Sequence, residues 1–178
     1  MPKLEILATR HLPQYREIDG GISQDLVLKR SPVAVTKFIE RVDRESVVTF
    51  VSSPMRRCVA TSLRLEDCAV QAGIAVSGVT KDELLSEQGV YTDNESKRAQ
   101  KYSAVVEQAG RAAVAYAGDR NATLVLVTHD VVIRRLVEQF NPEAAHDIGY
   151  VGYNLLHTGE FIPEQFEPVS LEPRLRAA

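Results

Sequence analysis

Cysteine is scarce: Cys58 and Cys68 are the only two. They stand ten residues apart in one predicted helix, where no disulfide can join them without breaking it, so neither a disulfide framework nor a cysteine zinc site is implied. No stretch approaches the roughly 18 consecutive apolar residues of a membrane span, and the N-terminus lacks the basic region and apolar segment of a secretory leader. A charge excess of one sign is missing as well. With 21 basic and 24 acidic residues the net charge is −3, which gives no long-range pull toward nucleic acid or anionic membrane, so any anion site must be built locally. Internal repeats, low-complexity tracts and a second-domain linker are also absent. These absences lead us to expect one domain over 1–178, in the cytoplasm, with neither nucleic acid nor membrane as partner; nothing in them sets an oligomeric state.

What is present is ordinary globular composition, 44% hydrophobic and 25% charged, arranged as strands alternating with helices. Leu4 to Ala8 reads as a first strand running into Arg10-His11. Leu12 to Arg30 has no sustained period and reads as a pocket-shaping loop. Ser31 as N-cap and Pro32 as first helical residue open a helix with Val35, Phe38, Ile39 and Val42 on its inner face. Val47 to Val51 is a strand without alternation, hence buried on both faces. It leads into Ser53 as N-cap and Pro54 as first residue of a helix to about Ala72, stopped by Gly73. Ile74 to Val79 is a weaker strand and Lys81 to Gly89 a second pocket loop. The longest helix is expected from about Asp93 to Ala117, with Tyr102, Val105, Val106, Ala109, Ala112, Ala113 and Tyr116 as its core stripe and Gly118 as its stop. Thr123 to Val127 is a buried strand ending in Thr128-His129-Asp130, before a helix from Val131 to Phe140. Ile148 to His157 and Phe161 to Phe166 read as two antiparallel strands turned at Thr158-Gly159, and the chain from about Pro168 as a loose tail.

The expected fold is therefore a three-layer α/β/α sandwich with a central, mostly parallel sheet. In such a sheet the strand C-termini share one edge, where ligands bind. Arg10-His11, Ser53 to Arg57 and Thr128-His129 all fall at that edge. Two imidazoles, several guanidiniums and a helix N-terminus suit a tetrahedral phosphate dianion, because guanidinium forks and free helix amides both match its oxygens.

These residues carry a resemblance. Arg10-His11-Leu12, Ser53-Pro54-Met55-Arg56-Arg57-Cys58-Val59-Ala60-Thr61-Ser62, Leu85-Ser86-Glu87, Thr128-His129-Asp130-Val131-Val132-Ile133 and Tyr153-Asn154-Leu155 together resemble, in order, the motifs of the histidine phosphatase superfamily. The superfamily is also called phosphoglycerate mutase-like. The resemblance implies a phosphomonoester or phosphoprotein phosphatase acting on a small phosphorylated substrate through a phosphohistidine, with no metal and no cofactor. In that scheme His11 is the nucleophile, Arg10 and Arg57 clamp the phosphoryl oxygens with His129, and Glu87 is the acid and then the base. Two departures stand out. Leu12 replaces the family's Gly beside the nucleophile, where a side chain would narrow the pocket or lower activity, and this motivates the alternative of a non-catalytic phosphate-binding module. Asp130 follows His129 and is a rival acid, as in a more distant acid-phosphatase branch of the superfamily. A phosphoglycerate-type mutase is a further alternative, weakened because its substrate-loop signature is missing from Leu12 to Arg30.

Other residues invite plainer readings. His146 and His157 are expected at the surface or in the hairpin, and Arg56 on a solvated helix face. Asp82 and Glu83 are expected as exposed loop charges, with Glu83 a third candidate acid. Cys58 is expected to pack, with its place near a helix start tending to lower its pKa.

Overall fold

The computed structural model describes residues 2–13 and 32–166. Most of the expected loop from Leu12 to Arg30, the Ser31 cap and the tail from Pro168 lie outside those residues. The elements are β1 (Leu4–Arg10), α1 (Pro32–Arg41), β2 (Val47–Ser52), α2 (Arg56–Gln71), β3 (Ala75–Lys81), α3 (Gln88–Thr92), α4 (Glu95–Ala117), β4 (Ala122–Thr128), α5 (Asp130–Phe140) and β5 (Asn154–Gly159). The sheet runs β3-β2-β4-β1-β5. Its first four strands are parallel and β5 lies antiparallel to β1.

The central strands owe their position to having apolar residues on both faces. In β1, Ile6 and Ala8 face one core while Leu7 faces the other; in β4, Leu124 and Leu126 oppose Val125 and Val127. The first core is closed by α4 and α5 through Tyr102, Val105, Val106, Ile133 and Leu136. The second is closed by α1 and α2 through Val35, Phe38, Cys58 and Leu65. Both layers follow from the two-faced burial of strands that need a helix cover on each side.

Several boundaries differ from expectation. Helix α2 begins at Arg56 with Met55 as its cap and no side-chain capping bond, so neither Ser53 nor Pro54 takes the place foreseen for it. The Ser53 hydroxyl, fully buried, bonds an imidazole instead. In α4 the cap is Asn94, which accepts from Lys97 N at 2.8 Å. On the same helix Ala112 and Tyr116 are exposed, while Ala117 takes the inward place in the last turn. The expected strand from Ile148 shortens to Asn154–Gly159. Phe161 to Phe166 is not a strand, and Pro163–Phe166 forms a 3-10 turn. Residues five apart in a strand point to opposite faces, yet Phe161 and Phe166 stack at 5.5 Å against α4. Gly110 permits that approach, because a Cβ there would meet Phe161 at 2.8 Å.

Candidate active site

Neighbouring strands β1 and β4 send the chain to opposite layers, β1 toward α1 and β4 into α5. That divergence opens a crevice at the C-terminal edge of the sheet. His11 follows β1 with its amide on Thr128 O at 3.1 Å, and Ser53 follows β2 with its amide on Val127 O at 2.9 Å. The ring of His129 lies 5.5 Å from that of His11. Three of the expected strand ends thus meet at one place.

Arg57, in the first turn of α2, is the hub. Its Nε donates to His11 Nε2 at 3.2 Å, and its Nη2 donates to Glu87 Oε1 at 2.8 Å and to His129 Nδ1 at 3.1 Å. A guanidinium can only donate, so both imidazole nitrogens it meets must accept. The remaining protons are then placed. His11 Nδ1 donates to Leu12 O at 2.7 Å, and His129 Nε2 donates to Ser53 Oγ at 3.1 Å. Each histidine keeps a lone pair on the nitrogen that meets Arg57.

Electrostatics keeps both rings neutral. Burial lowers the pKa of His11, with the Arg57 and Arg10 charges acting the same way against the Leu12 carbonyl and Asp130. Burial also lowers His129, to about 4, with Glu87 opposing and Arg57 assisting. Desolvation dominates in both because the charged imidazolium loses water at the crevice wall.

The supports of this constellation can be followed into the fold. Thr61, one helical turn after Arg57, accepts from Leu12 N at 2.8 Å and donates to Arg57 O at 2.7 Å, tying the segment after His11 to α2. Thr128 Oγ1 donates to Leu85 O at 2.7 Å, and Asp82 N donates to Ser52 O at 2.9 Å. Those two bonds pin the segment that carries Glu87 over the sheet edge. Asn154 Nδ2 reaches Ala8 O at 3.1 Å and Asp147 O at 2.7 Å, while its Oδ1 accepts from Asp147 N. It fastens the loop 147–153 across the end of β1.

That loop holds Arg10. Its Nη1 donates to Ile148 O at 3.2 Å, and its guanidinium lies 4.3 Å over the Tyr150 ring. Arg10 stands beside the crevice with no direct bond to His11 among the described residues. Tyr150, whose ring is 6.2 Å from that of His11, carries no sequence signal, since its segment reads as strand. Thr61 could have been found, because it lies four residues beyond Arg57 on the same helix face.

Other candidates stand apart. Asp130 Oδ1 accepts from Val131 N at 2.9 Å and makes no bond to either histidine. Arg56, Glu83 and His146 are exposed, and His157 sits in β5. Asp82 is not a free charge: its carboxylate caps the turn Glu83–Leu85 by accepting from Leu84 N at 2.9 Å. The Cys58 thiol, fully buried and 3.7 Å from His129 Nε2, is pushed up to about 12 by burial. The helix-start argument for a lowered value therefore loses to desolvation. Leu12 overturns a larger expectation. Its side chain is only 2% exposed and packs with Leu7, Phe38 and Val127 in the core under α1 and α2, so, contrary to expectation, it does not project beside the His11 ring. Among the described residues, no group of three or more His, Cys, Asp or Glu is placed to hold a metal, and no helix is long and apolar enough to cross a membrane.

Comparisons with protein-family models and with curated proteins gave no match. Solved structures did. Phosphoglycerate mutase from Bacillus anthracis str. Sterne superposes with a TM-score of 0.52 at 11% identity, over 92% of this chain and 94% of that one. A mycobacterial glucosyl-3-phosphoglycerate phosphatase in complex with inorganic phosphate gives 0.47 at 16% identity, over 83% and 81%. Phosphoglycerate mutase from Plasmodium falciparum gives 0.43 at 15% identity, over 79% and 70%. At such identities the first match speaks to fold alone: the chain has the phosphoglycerate mutase-like fold.

Proposed function

We propose that the chain hydrolyses phosphomonoesters, of a small molecule or of a phosphoprotein, through a phosphohistidine on His11. The observation that carries this reading is the single guanidinium of Arg57 spanning His11 Nε2, His129 Nδ1 and Glu87. An arginine held between two neutral imidazoles and a carboxylate, at a helix N-terminus, is what a phosphoryl group in transfer requires. Its charge spreads over equatorial oxygens, and fixed cations and amides meet that charge without reorganising.

In the proposed cycle the phosphate dianion takes the place of His11 as acceptor for Arg57, with Arg10 and His129 on its other oxygens. The bond of His11 Nδ1 to Leu12 O holds the Nε2 lone pair in the crevice for in-line attack. An N–P bond forms as the ester P–O bond breaks, and a protonated Glu87 gives its proton to the leaving oxygen. Water then attacks phosphorus, Glu87 takes a proton from it, and the N–P bond breaks to return the lone pair to His11 and release orthophosphate. The cycle draws on no metal and no cofactor. Glu87 fits the acid role better than Asp130, because it touches Arg57 while Asp130 is spent on its own helix amide. The alternative of a non-catalytic phosphate-binding module is motivated by Leu12 beside His11, and the burial of that side chain favours the hydrolase reading over it.

The test is His11→Ala. Hydrolysis of an aryl phosphate should vanish together with an acid-labile labelled intermediate seen in the unaltered chain. Turnover unchanged in the variant would sink the mechanism.

A further inference from the structure

Arg10 is placed for phosphate by its sequence position but is held by something the motifs do not name. Among the described residues its guanidinium makes one hydrogen bond, from Nη1 to Ile148 O at 3.2 Å. Its Nε is buried and has no partner among the described residues. A second restraint among the described residues is the Tyr150 ring, 4.3 Å from the guanidinium carbon. One bond leaves a long side chain free to pivot, whereas a bond plus a stacked face fixes the plane of the fork.

The loop that presents this ring is itself over-determined. Val151 N bonds Arg10 O at 2.9 Å, closing a bridge between Arg10 and Tyr150. Val151 adopts φ 53, a left-handed conformation that a β-branched residue takes only under constraint. A Cβ at Gly152 would meet Asp147 O at 2.2 Å, so the next turn is closed to any side chain. The Asp147 carboxylate accepts from Gly149 N and Tyr153 N, and Asn154 fastens the loop to β1. Strain and stapling of this kind around one exposed tyrosine call for a reason, and Arg10 provides it.

We infer that Tyr150 is the positioning residue of the phosphate clamp: its ring fixes the plane in which Arg10 presents its donors beside His11. The inference rests on the phosphate role given to Arg10 above. Tyr150 touches neither the reacting nitrogen nor the leaving group and acts through the arginine.

The experiment is a double-variant cycle read with orthophosphate as the probe. Tyr150→Leu removes the π face at similar bulk and should weaken orthophosphate affinity about 3- to 10-fold. It should also lower kcat/KM for an aryl phosphate by the same factor. Tyr150→Phe should restore most of that loss, because the face and not the hydroxyl acts. In an Arg10→Ala background, Tyr150→Leu should cost nothing further. A spectroscopic readout accompanies it: the Arg10 Nε–H resonance, shifted by the ring current, should move in Tyr150→Leu and stay in Tyr150→Phe. Additive losses in the double variant, or equal losses for Leu and Phe, would overturn the inference. If the unaltered chain binds orthophosphate and the cycle is coupled while no ester is turned over, the positioning role stands and the hydrolase reading falls.

Discussion

Replacing Leu12 with alanine separates two accounts of the residue beside His11, the proposed nucleophile. If its side chain lined the pocket, truncation would open the site and leave stability nearly unchanged. The structure instead buries it to 2% exposure among Leu7, Val35, Phe38 and Val127. Truncating a buried leucine to alanine removes its transfer free energy and leaves a cavity, which together cost about 3 kcal/mol. In a domain of this size that corresponds to a fall of roughly 6–12 °C in Tm. Alanine keeps both backbone contacts, from Leu12 N to Thr61 Oγ1 and from His11 Nδ1 to Leu12 O, so the nucleophile should stay in place. Glycine would be a poorer probe, because it also frees the backbone of the unfolded chain. Urea unfolding should give a lower midpoint at an unchanged m-value. Well below the new midpoint, kcat/KM for an aryl phosphate should change by less than about twofold. A variant of unaltered stability whose kcat/KM rises several-fold would refute the burial argument and return Leu12 to the pocket.

The remaining expectations concern protons. His129 falls from its ordinary 6.5 to about 4 on folding, so below pH 6.5 the unfolded chain binds a proton the folded chain refuses. Stability should therefore decline as pH falls from 6.5 toward 4 on account of this group, and level once the folded ring protonates. His11 and His157, both lowered by burial, act in the same direction. A His129→Gln variant should show a shallower decline in urea titrations at stepped pH, and an identical slope would sink the assignment. Glu87→Gln should lower kcat about 10²- to 10⁴-fold while leaving orthophosphate binding nearly intact, and Asp130→Asn should do much less; the reverse order in steady-state kinetics would make Asp130 the acid.

The layered fold was legible because its signals are physical and local. Within β4 the run Leu124 to Val127 has no polar residue on either face, which fits a strand covered twice. Gly118 ends α4 at φ 63, where a side chain would be strained. Elements failed where tertiary demand outweighed local pattern. Ser53 has the chemistry of an N-cap, but His129 claims its hydroxyl. Phe161 to Phe166 has strand-like composition, yet its two rings must reach the same cluster, which an extended chain of odd spacing forbids. The site divides the same way. His11, Arg57, Glu87 and His129 lie within ordered motifs, whereas Tyr150 acts through a fold that brings residue 150 beside residue 10, and no local pattern records that meeting.

One consequence of the proton placement bears on how such a crevice would accept a dianion. Arg57 presently satisfies the lone pairs of both histidines and one oxygen of Glu87. A phosphate oxygen competing for those donors would leave His129 Nδ1 facing an anion with a lone pair, which repels. Protonating His129 at Nδ1 turns that repulsion into a charge-assisted bond, and the arriving negative charge raises the very pKa that burial holds near 4. His11 differs because, in the proposed cycle, its lone pair is the attacking group and must stay unprotonated. Its Nδ1 proton is committed to the Leu12 carbonyl at 2.7 Å, which leaves Nε2 as the nitrogen carrying the lone pair. On the proposed reading the two imidazoles begin in the same protonation state and a bound dianion would drive them apart, one to donor and one to nucleophile. What distinguishes them is where each second nitrogen is anchored, His129 to the Ser53 hydroxyl and His11 to a backbone carbonyl.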